Sequence, residues 1–83
     1  MQINDSDAVA AIQEVRELTK FPLNDPELRR SNMYWASLFL AWRVAPLTQE
    51  ELDNDPAEGH ARQLRMAFDS DIRAAINKNW PKE

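Results

Sequence analysis

Eighty-three residues with a net charge of −4 and no cysteine exclude disulfide frameworks and thiolate metal sites, and they weigh against a surface that attracts polyphosphate through bulk charge. The chain makes about one small domain, residues 1–83, with enough apolar material (43% of residues) for one modest core. Its start, Met1-Gln2-Ile3-Asn4-Asp5, lacks the basic-then-apolar pattern of a targeting peptide, and the most apolar stretch, Met33 to Trp42, is half of the roughly 20 residues a bilayer crossing needs. The expectation is a cytoplasmic protein that does not enter a membrane.

One glycine and five spaced prolines are the usage of helices joined by punctuated turns. The first helix is expected over about 6–20. Asp5 or Ser6 serves as N-cap, and Pro22 stops the helix by restricting Phe21. Its apolar stripe comprises Ala8, Val9, Ala11, Ile12, Val15 and Leu18.

Asp25-Pro26 is a strong start signal for a second helix over about 26–45, ended by Pro46. Leu28, Tyr34, Trp35, Leu38, Phe39, Ala41, Trp42 and Ala45 fall within an arc of about 160° at 100° per residue, which is the expected core face of a central helix. Met33, Leu40 and Val44 project outside that arc as a second apolar strip, edged by Arg29, Arg30 and Arg43.

Thr48 and Glu51 have the spacing of a capping box for a short helix over 49–53. Asp55-Pro56 then opens a third long helix over about 56–78, with Ala57, Ala61, Leu64, Phe68, Ile72, Ala75 and Ile76 on one stripe. Glu58 with Arg62, and Asp69 with Arg73, are spaced as exposed ion pairs, and Trp80 is expected to fold back over the stripe. The predicted fold class is all-α, a small compact bundle of three main helices plus one short helix.

Catalytic machinery is not legible in the chain. His60 has neither a second histidine nor a cysteine beside it, and Ser6, Ser31, Ser37 and Ser70 lack a nucleophile context. Asp53-x-Asp55 begins like a calcium loop, but Pro56, Ala57 and Leu64 occupy positions that need turn or ligand residues. With Gly59 as the single glycine, no phosphate-binding loop is present. No enzyme, cofactor, metal or small-molecule substrate is expected, and nucleic acid is disfavoured by the acidic 46–55 connection and the dispersed arginines.

The sequence-level reading is a non-catalytic protein-binding module, an inhibitor or adaptor of the kind small phage and bacterial accessory proteins provide. Its candidate surface is Arg29, Arg30, Met33, Leu40, Arg43 and Val44, together with the acidic Glu50, Glu51, Asp53 and Asp55. The partner would be a larger protein or, alternatively, a second copy forming a homodimer or assembly. A nucleic-acid-binding regulator is the remaining alternative.

Overall fold

The first helix, α1, spans Asp5–Thr19, one residue earlier than its expected start. Asn4 is the N-cap, and its carbonyl accepts the Asp7 and Ala8 amides at 3.1 and 3.3 Å, without a side-chain cap. Asp5, expected to cap this helix, instead receives Lys78 Nζ at 3.2 Å and Asn79 Nδ2 at 3.1 Å. The carboxylate ties the beginning of α1 to the end of the last helix. Lys20 ends α1 in the left-handed region at φ 58°, its amide donating to the Arg16 carbonyl at 3.1 Å. That geometry is a turn signal usually supplied by glycine.

The structure, a computed structural model, describes residues 3–46, 49–53 and 69–82. Within them α2 spans Arg29–Val44, α3 Gln49–Asp53 and α4 Asp69–Asn79, and among the described residues there is no strand. The fold is all-α. The first part of the expected third long helix, 56–68, lies outside the described residues, as do Thr48, Asp55, His60 and the Glu58–Arg62 pair.

The chain enters α2 three residues later than Asp25-Pro26 suggested. Asp25 does act as a local cap, Oδ1 accepting the Glu27 amide at 3.0 Å, and its carbonyl accepts the Leu28 and Arg29 amides at 3.0 and 2.8 Å. Residues 26–28 form turns before regular helix begins, and Leu28 has a φ of −109°. This turn is pinned from inside, because Asn32 Nδ2 donates to the carbonyl of the buried Leu23 at 3.2 Å.

The core is built from Ala8, Ala11, Ile12 and Val15 of α1, Leu23 of the connection, Ala36, Leu40 and Ala41 of α2, and Ile72, Ala75 and Ile76 of α4. Ile3, Phe39, Val44 and Trp80 pack against its edge. Five of these eleven buried residues are alanine. Small side chains let helix axes approach closely, and such contacts leave little room for indole rings. The stripes expected on α1 and at Ile72, Ala75 and Ile76 of α4 are buried, except that Val9 and Leu18 are exposed.

On α2 the expected orientation is largely overturned, although Ala41 of the expected core face is buried and Phe39 packs against the core edge. Leu40, placed on an accessible strip from sequence, is fully buried at 0%, whereas Trp35 and Tyr34, placed in the core, are 43% and 62% exposed. The inward row is Asn32, Ala36 and Leu40, successive positions four apart, centred about 140° from the middle of the expected arc. Both faces of α2 are apolar. The face with small side chains meets the other helices, and the aromatic face does not fit between them.

Candidate functional site

Turning Leu40 inward presents an aromatic row outward. Tyr34 and Trp35 are in edge-to-face contact with ring centroids 5.8 Å apart and planes at 77°. Trp35 continues to Phe39 at 6.0 Å, and Phe39 to Trp42 at 5.9 Å. The row runs from two solvent-exposed rings down to Phe39, which touches the core. The Trp42 indole N–H is buried and has no hydrogen-bond partner among the described residues. Aromatic pairs of this geometry attract one another beyond their area burial, and the rings together form a contiguous apolar surface.

The residues singled out from sequence are not brought together as one strip. Leu40 is in the core, Met33 is half-buried, and Val44 packs against the core edge. The open apolar strip read from these three is therefore withdrawn. Arg43 pairs with Glu14 of α1, a cross-helix ion pair that occupies its guanidinium. Arg29 and Arg30 are exposed in the first turn of α2, Glu50 and Asp53 are exposed on α3, whose backbone also includes Glu51, and Asp55 lies outside the described residues. Asp53 Oδ1 accepts Gln49 Nε2 at 3.0 Å.

Sequence reasoning missed the polar positions that hold the inter-helix turn. Asn24 uses both ends of its amide: Oδ1 accepts the Trp80 indole N–H at 2.8 Å, and Nδ2 donates to the Pro81 carbonyl at 2.8 Å. Trp80 does fold against the core as expected, but its register is set by this pair of bonds to the α1–α2 connection. Asparagine next to an Asp-Pro start signal reads as turn chemistry, and nothing in local spacing points to a partner 56 residues away.

A shallow groove lined by Ile3, Asp5, Asp71, Ala74, Ala75 and Lys78 has a volume of about 220 Å³. This is below the size usual for small-molecule sites, and Asp5 and Lys78 within it bond to each other. Among the described residues no group of three or more His, Cys, Asp or Glu side chains is placed to hold a metal ion. No helix among them is long and apolar enough to cross a membrane.

Comparison with protein-family models, curated proteins and solved structures finds no match to this chain.

Proposed function

We propose that this chain is a non-catalytic protein-binding module, of the inhibitor or adaptor type, which presents the aromatic row of α2 to a larger protein. The observation that carries this reading is the exposure of Tyr34 and Trp35 in mutual edge contact while alanines and Leu40 fill the interior. Water-exposed aromatic area is unfavourable in the free protein, and Trp, Tyr and Arg are the residues that dominate binding energy at interfaces. The rings of the row stand at positions 34, 35, 39 and 42 of one helix, so the surface suits a groove or a facing helix.

The test compares the wild type with Tyr34→Ser/Trp35→Ser in affinity capture from the cell of origin, each first shown to melt cooperatively. A protein retained by the wild type and lost from the variant supports the reading. Identical captured sets contradict it. Light scattering over a wide concentration range separates a foreign partner from a second copy, because self-association through the row gives a mass that rises with concentration and falls in the variant.

A further inference from the structure

Two contacts fix how α1 and its connection run past α2. Glu14 of α1 pairs with Arg43, and further along the chain the Leu23 carbonyl accepts Asn32 Nδ2 from an earlier turn of α2. The two segments are therefore antiparallel. Leu18 lies one turn beyond Glu14 and Phe39 one turn before Arg43, so they come level at the edge of the seam that the ion pair marks. Trp35 is one turn further along α2, and Phe21, between Leu18 and the anchored Leu23, is level with it. Leu18 and Phe21 are 69% and 59% exposed, so a second apolar bank runs beside the aromatic row.

The last helix, α4, takes the opposite edge of the same seam. Asp5, about 180° around α1 from Glu14 at 100° per residue, is where Lys78 and Asn79 attach. There α4 buries Ile72, Ala75 and Ile76, an apolar stripe of three- and four-residue spacing, against α1 and α2. The seam thus shows on one edge what it accepts, a helix with an apolar stripe. On the Glu14–Arg43 edge, Leu18, Phe21, Tyr34 and Trp35 leave on the order of several hundred Å² of mainly apolar surface in water, a patch and not scattered single side chains.

Resting on the protein-binding reading above, we propose that the aromatic row is one bank of a groove whose other bank is Leu18 and Phe21, and that its occupant is a single amphipathic helix of a partner protein. That helix carries apolar side chains three and four residues apart, as α4 does on the opposite edge. The side-chain ridges of a third helix pack into the groove between two, and such a stripe reaches both banks at once. Glu14 and Arg43 neutralise each other at one end, so the groove selects by shape and burial and not by the sign of a charge. A second copy suits it less, because at a net charge of −4 it brings like charge to like.

The test uses two labelled synthetic helix-forming peptides of one composition, the first with its leucines three and four residues apart, the second with them spread around the helix. Fluorescence anisotropy reads their binding to the intact protein. The striped peptide binds the wild type about tenfold or more tightly than the permuted one. Leu18→Ser/Phe21→Ser and Tyr34→Ser/Trp35→Ser each weaken the striped peptide about tenfold, both variants keeping a cooperative melt. Unchanged binding to Leu18→Ser/Phe21→Ser, with a loss in Tyr34→Ser/Trp35→Ser, overturns the groove and leaves the aromatic row standing alone. Equal binding of the two peptides, or binding of neither, overturns the helical occupant, while the capture experiment above still decides the row. A mass that rises with concentration and falls in Leu18→Ser/Phe21→Ser, without peptide binding, assigns the groove to a second copy and equally overturns the inference.

Discussion

Asn32 shows how one side chain fixes the inner face of α2. Its residue is 1% exposed, and its amide nitrogen bonds the Leu23 carbonyl, so the connection and the helix are locked through the core. Asn32→Ala strands that buried carbonyl and is expected to lower unfolding free energy by about 1 to 3 kcal/mol. Asn32→Asp costs more, since it adds a buried charge, and urea titrations of the two variants check the order. Lys20 gives the opposite kind of prediction. Its left-handed backbone costs a residue with a Cβ about 1 to 2 kcal/mol, partly offset by glycine's greater freedom in the unfolded chain. Lys20→Gly therefore leaves the midpoint of thermal unfolding unchanged or raises it. Asp5 carries a pH signature. The Asn79 side chain and then Lys78 hold its carboxyl below the ordinary value of 3.8. The folded state thus binds fewer protons than the unfolded one in acid, and the stabilisation present at neutral pH disappears as pH falls through the lowered value. Melting temperatures of the wild type and Asp5→Asn differ at neutral pH and converge in acid.

At the scale of elements, helix positions were readable because start and stop signals act locally. Pro22, Pro46 and Asp25 bound α1 and α2 to within a few residues. Which face of α2 turns inward was not readable from the same cues. Periodicity finds an amphipathic axis, and α2 has apolar residues on both sides: Met33, Leu40 and Val44 on one, Tyr34, Trp35, Leu38 and Trp42 on the other. Assigning the larger side chains to the interior follows area arithmetic, but the distance between packed helices is set by the smallest residues at their contact. Ala8 and Ala11 on α1, Ala36 on α2 and Ala75 on α4 were the available signal, because alanines recurring on facing helices mark close contact. The Asn24 clasp was hidden for a different reason, being a contact between distant residues with no periodic trace. Asn24→Ala is expected to cost about 1 to 3 kcal/mol by stranding the Trp80 indole N–H and the Pro81 carbonyl. In a protein with Trp35 and Trp42 replaced by phenylalanine, the same change shifts the remaining Trp80 emission to the red.

For the whole molecule, burial and function compete for the same helix. The interior is narrow and alanine-rich, and the largest side chains of α2 stay partly in water, where they stabilise the free protein less than their size allows. The proposed assignment of the row to a partner accounts for that arrangement. That assignment depends on the direction α2 faces. The most direct measurement is chemical denaturation of Leu40→Ala and Trp35→Ala side by side. Leu40→Ala is expected to cost about 2 to 5 kcal/mol, the range for a leucine removed from a packed core, and Trp35→Ala less than half as much. A Trp35→Ala loss equal to or greater than that of Leu40→Ala would place the aromatic row inside the protein and contradict the account.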